Sequence, residues 1–295
     1  MTKKKAKGQK VGMYADMPIE ILTPDEMAQA DRITIEAGIA GYDLMRAAGQ
    51  AVADAAARFG ADRILVLAGP GNNGGDGLVA AQLLQSAGSN VRVVLWGEQD
   101  KLRGDAAKAC DDFRGDVELA NDENADEIDL DADLIIDALF GAGLSRGLAG
   151  ALGRLVERVN RGSAKVLAVD LPSGVDGATG EIAGQAIEAD RTVTFFRLKP
   201  GHLLYPGRRH CGEARLAQIG ITEDVFAQLD IRRFLNAPAL WQDHIPQIGS
   251  ETHKYRRGHA LIVSGPWANT GASRLAARAA LRSGAGLVTV AADIE

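Results

Sequence analysis

The apolar positions of this chain fall into short continuous runs separated by helical stripes. Residues 64–67 form a compact apolar run of the kind found in a buried strand, and Leu78, Leu83 and Leu84 follow at helical spacing. Between them lies GPGNNGGDG, Gly69 to Gly77, a glycine-rich turn from strand into helix. Two helices are predicted upstream. Thr23 is placed as an N-cap, Pro24 at the first helical position and Glu26 closing a capping box, with the helix running to about residue 36. Residues 42–59 carry Leu44, Met45, Ala48, Val52 and Ala56 on one face and stop at Gly60. Downstream, strands are predicted at 91–96, 134–136, 165–169, 191–195 and 214–217, and helices at 106–113 and 148–160. The alternation predicts an α/β fold with a mostly parallel sheet between two helical layers. Residues 116–133 hold nine acids and no Lys or Arg, and are read as a solvated connection.

Composition narrows the class. With 295 residues, 46% hydrophobic and 24% charged, the chain has room for roughly two domains. A net charge of -6 speaks against a dedicated nucleic-acid binder. Neither a membrane-length apolar run nor a secretory signal is evident, so a cytoplasmic protein without membrane or nucleic-acid partners is expected. Cys110 and Cys211 have no CxxC or His cluster around them and are read as buried or idle thiols. The lysine-rich start, within a predicted disordered tail at 1–20, is read as solvated.

Three predicted strands end in polar, glycine-rich turns. The first carries Asn72, Asn73 and Asp76, the second Asp137 with Gly141 to Gly147, and the third Asp170 with Ser173. In a parallel sheet such ends meet where the strand order reverses, so these groups are expected to share one site. The helix N-terminus after the first turn favours phosphate, which points to a nucleotide. Gly69 to Gly74 also fits G-x-G-x-x-G, with Glu98 at the distance of a ribose-binding acid, so a dinucleotide dehydrogenase stays open. Against that reading, Asn72, Asn73 and Asp76 put oxygens where pyrophosphate wants N–H groups. The plainer alternatives are a helix-capping role for Asp76 and turn capping for Asp137 and Ser173.

Four ordered motifs, AGPGNNGGDG, DALFGAG, VDLPSGVDGATG and FRLKPGH, resemble the NAD(P)H-hydrate epimerase domain of the bifunctional NAD(P)H-hydrate repair enzymes, over residues 21–219. The resemblance implies a Rossmann-like three-layer αβα fold. It also implies interconversion of the R and S forms of hydrated NADH or NADPH, with a bound potassium ion. Carried over, Asn72, Asn73, Gly74, Gly75 and Asp76 contact the hydrated nucleotide. Gly141, Ala142, Gly143, Leu144, Ser145, Arg146 and Gly147 wrap its phosphates, and Asp170 sits at the reacting ring. Asn73, Asp137 and Ser173 match the potassium ligands. Asp170 is expected to be the catalytic acid/base, because burial at a strand end raises a carboxyl pKa towards neutrality. Lys199 is read as a neighbour that contacts phosphate, and His202 as structural. The small-molecule substrate is the expected partner, with a homo-oligomer left open. A non-catalytic nucleotide-binding protein is the alternative from another class.

Beyond 220 the pattern changes. Residues 221–250 read as a short helix and a linker. From 251 to 295, HKYRRGH, a strand at 260–264, a helix at 271–283 and GAGLV resemble the opening of the ADP-dependent NAD(P)H-hydrate dehydratase domain. That implies an incomplete first βαβ unit of a ribokinase-like domain. Dehydratase activity is expected to be absent, and residues 254–295 are expected to be weakly stabilised or to borrow cover from the epimerase domain or another chain.

Overall fold

The computed structural model describes residues 17–144, 147–245, 252–266 and 270–292. The predicted tail up to residue 16, together with Ser145 and Arg146, lies outside the described residues. Two compact units are present, residues 1–237 and 238–295.

The first unit is built on a seven-stranded sheet in the order β3-β2-β1-β4-β5-β6-β7. Its strands are β1 Arg63–Ala68, β2 Asn90–Trp96, β3 Val117–Ala120, β4 Leu134–Ala138, β5 Lys165–Val169, β6 Arg191–Phe195 and β7 Glu213–Ala217. All the pairings are parallel. Six helices accompany them: α1 Pro24–Glu36, α2 Gly41–Ala57, α3 Asn72–Ser86, α4 Gly104–Asp112, α5 Gly150–Arg161 and the short α6 Gly207–His210. β1 shows why a central strand reads as one apolar run. Ile64, Val66 and Ala68 enter the core shared with α1 to α4, whereas Leu65 and Leu67 enter the core shared with α5.

The helix at 24–36 starts as its sequence demands. Thr23 Oγ1 accepts from Glu26 N at 3.2 Å while Thr23 N donates to Glu26 Oε2 at 2.7 Å. The acidic stretch contains a strand that its sequence was not expected to form. Val117–Ala120 pairs with β2 at the sheet edge, where Glu118 stays in solvent and only Ala120 is buried. The first unit also extends past residue 220. Ile221, Val225 and Leu229 are buried in its core, so residues 221–237 belong to the folded unit and are not linker. Arg197, buried beside Phe196, reaches Glu20 at 3.0 Å and Glu223 at 2.6 Å, tying both ends of the unit together.

The second unit contains α7 Pro238–Trp241, and β8 His259–Val263 and β9 Leu287–Ala291 paired in parallel and joined through α8 Gly271–Arg282. Among the described residues, no helix is long and apolar enough to cross a membrane.

Candidate active site

The strand order reverses between β1 and β4, and the crevice outside their carboxyl ends opens into a cavity of about 450 Å³. The turns after β1, β4 and β5 and residues from α1 to α4 form its walls. The turn after β1 leads into α3, whose N-cap Gly71 makes no side-chain cap. The first-turn N–H groups are thereby left for a ligand. Gly71, Asn72, Asn73 and Asp76 line the cavity on that side, and Gly141, Ala142, Gly143 and Leu144 line it from the turn after β4. A Cβ at Gly141 would lie 2.8 Å from Asn73 Oδ1 and 3.0 Å from Asp170 Oδ2, so a side chain there would displace those two groups.

Asp170 ends β5 with φ at +61°, a left-handed backbone uncommon outside glycine. Its carboxylate is fully partnered. Oδ1 accepts from Lys199 Nζ at 2.6 Å and from Thr194 Oγ1 at 3.0 Å, and Oδ2 accepts from Ala142 N at 3.0 Å. Burial by itself would raise this carboxyl, but the buried Lys199 ammonium outweighs it and holds Asp170 down to about 2. The expected rise towards neutrality is therefore overturned: Asp170 is a fixed anion. His202 is buried behind it. Its Nδ1 accepts from Lys199 N at 3.0 Å, which leaves the Nε2 proton to be donated to Asp170 O at 2.8 Å. Burial, reinforced by the Lys199 charge, lowers His202 to about 4 and keeps it neutral.

Two other carboxyls behave oppositely. Asp76 is raised well above the ordinary range by burial and by the Asp170 and Asp31 charges. Asp31, from α1, is pushed up to about 6 by burial, with Lys199 opposing and Asp170 adding. Met27, Asp31 and Ile35 all line the cavity at helical i, i+4, i+8 spacing. An acid interrupting an otherwise apolar stripe is the signal by which sequence could have identified Asp31.

Asp137 lies beneath this floor, wholly buried. It accepts from Ser173 Oγ at 2.6 Å and Ser173 N at 2.8 Å, and Ser173 Oγ is also 3.0 Å from Phe140 O. Burial pushes Asp137 up to about 6 against those hydrogen bonds. Asn73 Nδ2 is buried and has no hydrogen-bond partner among the described residues.

Three glycines expected at the ligand do not line the cavity. Gly74 packs against the Gly69 carbonyl and Gly75 against the Met45 thioether, while Gly147 packs against the Ala183 carbonyl. Their role is close approach of backbone. Both cysteines are free and buried, as expected.

Comparison with known proteins identifies the family. The family model described as YjeF-related protein N-terminus matches residues 41–201. The bifunctional NAD(P)H-hydrate repair enzyme Nnr of Coxiella burnetii is 37% identical over 269 residues, covering 90% of this chain and 55% of that protein. The enzyme of the same name from Moorella thermoacetica is 37% identical over 284 residues, covering 92% and 54%. The chain thus spans about half the length of these bifunctional relatives. The NAD(P)H-hydrate epimerase of Limosilactobacillus fermentum is 38% identical over 207 residues, covering 68% of this chain and 97% of that protein. The crystal structure of yeast ynu0, YNL200c, superposes with a TM-score of 0.59 at 23% identity, over 73% of this chain and 95% of that one, a likeness of fold. By the family match and these identities, the chain belongs to the YjeF-related protein N-terminus family, alongside the NAD(P)H-hydrate epimerases.

Proposed function

We propose that the first unit is an NAD(P)H-hydrate epimerase, interconverting the R and S forms of hydrated NADH and NADPH. The observation that carries this reading is the alignment with an NAD(P)H-hydrate epimerase along 97% of that protein's length. The cavity supports it with the parts such a reaction needs. Turn N–H groups at the start of α3 and the turn after β4 suit the pyrophosphate, and the carboxyls suit the hydrated ring.

Inverting the carbinolamine carbon by loss and return of its hydroxyl passes through a cationic C=N centre. An anion held by Lys199, Thr194 and Ala142 is matched to that charge, so Asp170 stabilises the cation and does not move the proton. Asp76, whose protonated form is favoured by burial and by the Asp170 and Asp31 charges, donates the proton to the departing hydroxyl. The split between one depressed and one raised carboxyl is the usual mark of such a division of roles.

Potassium fits the oxygen set beneath the floor. Asp137, Ser173 Oγ and the Phe140 carbonyl converge there, with the Asn73 amide nearby against Gly141, giving several neutral oxygens and one carboxylate. Asn73, Asp137 and Ser173 would hold the ion. When bound it would supply positive charge that fixes the turns carrying the site.

The dehydrogenase and non-catalytic alternatives are not favoured, since the relatives compared are repair enzymes and an epimerase. Asp170→Asn tests the reading: epimerisation is expected to fall at least about 100-fold while hydrate binding persists. Wild-type rate in the folded variant would overturn Asp170's assignment. Hydride transfer from NADH would overturn the function.

A further inference from the structure

Asp31 is a carboxyl of the cavity that comes from α1, outside the glycine-rich turns. It sits in the middle of α1, between Met27 and Ile35, and its side chain has no hydrogen-bond partner among the described residues although it lines the cavity. Such a placement serves no capping or packing purpose. It is also costly, because a carboxylate half-withdrawn from water beside other carboxylates destabilises the fold. The charged groups facing it are Asp76 from α3, Asp105 from α4, Asp170 at the end of β5 and Lys199 after β6.

We propose that Asp31 is a further catalytic residue, the general base that takes the proton of the water returning to the ring. The inference rests on the epimerase reading above. In the first half of the reaction the Asp76 proton goes to the hydroxyl oxygen. The C–O bond breaks with its electron pair on oxygen, water departs, and the ring nitrogen's lone pair forms the C=N bond. In the second half water adds to the opposite face of that carbon, the C=N π pair returns to nitrogen, and the water's proton passes to Asp31. One proton has moved from Asp76 to Asp31. It returns by exchange between turnovers, or when the reaction runs backwards. Inversion needs a donor and an acceptor approaching from different directions, and α3 and α1 supply them from separate walls. A group titrating at about 6 is ionised and still basic at neutral pH, as a general base should be.

Asp31→Asn in the full chain is the test, with purified S hydrate as substrate. The rate constant for epimerisation is expected to fall roughly 100-fold with KM little changed. The acid limb of the wild-type pH profile near 6 is expected to disappear. At about pH 8 the variant is expected to melt roughly 2 to 4 °C higher than wild type, because a disfavoured charge is gone, and this gain is expected to vanish near pH 4. A residue retained for structure would shift the melting temperature the other way. Asp31→Glu, which keeps an ionisable group, is expected to recover part of the rate and the acid limb. Unchanged rate and pH profile in Asp31→Asn would overturn the assignment, as would a folded Asp31→Glu no better than Asn. An inactive wild-type protein would instead overturn the epimerase reading, and this inference with it.

Discussion

At the scale of single residues the site is a set of carboxyls driven apart by their neighbours. Asp170 occupies a left-handed backbone, at a cost of about 1 to 3 kcal/mol, and meets three donors there. His202 helps fix that geometry in its neutral form, and its pKa of about 4 against an ordinary 6.5 has a consequence for stability. Between those values the unfolded chain binds a proton that the folded chain refuses, so stability is lost as pH falls through the window. Asp31 and Asp137, raised to about 6, act in the opposite sense, taking up protons more readily when folded. His202→Gln should therefore start less stable at about pH 7, yet lose about 2 kcal/mol less than wild type on acidification to about pH 5. Urea denaturation at the two pH values checks this. Asp137 and Asp170 stood out in the sequence because each closes an apolar run, and Ser173 because it lies in the turn that follows. The Asp170–Lys199 pair was not: the partners are 29 positions apart, and the contact depends on a backbone twist with no sequence signature.

At the scale of elements, α1 links sequence to site most directly. Its capping box is local chemistry and could be read without a structure, and the helix it starts carries Asp31 into the cavity. Thr23→Ala should cost about 1 kcal/mol in urea denaturation, by leaving the Glu26 N–H without its acceptor. The central strands were equally legible, because burial on both faces leaves an uninterrupted apolar run. β3 was missed for the complementary reason. An edge strand with one buried residue keeps its acids in water, and its Val-Glu-Leu alternation is too short to stand out among nine carboxylates. Gly74, Gly75 and Gly147 show the limit of motif reading: the motif identifies where backbone comes close, and the fold decides whether a ligand or another part of the chain fills the space.

At the scale of the whole molecule, the two compact units differ in how well they are covered. In the first, helices bury both faces of the sheet. In the second, β8 and β9 pack with α8, while Leu261 and Val263 remain 65% and 78% exposed. Amide protons of β8 and β9 should accordingly exchange faster than those of β1 and β4, and equal protection would contradict that expectation. The alternation that placed the first unit's layers was visible in the sequence. The extent of that unit was not, because Ile221, Val225 and Leu229 carry no periodicity that separates a packed segment from a linker. The first unit's chemistry is tested by the time course of R hydrate appearing from purified S hydrate, with and without potassium. Rapid equilibration in potassium is expected with the wild-type protein. Interconversion no faster than in protein-free buffer would contradict it.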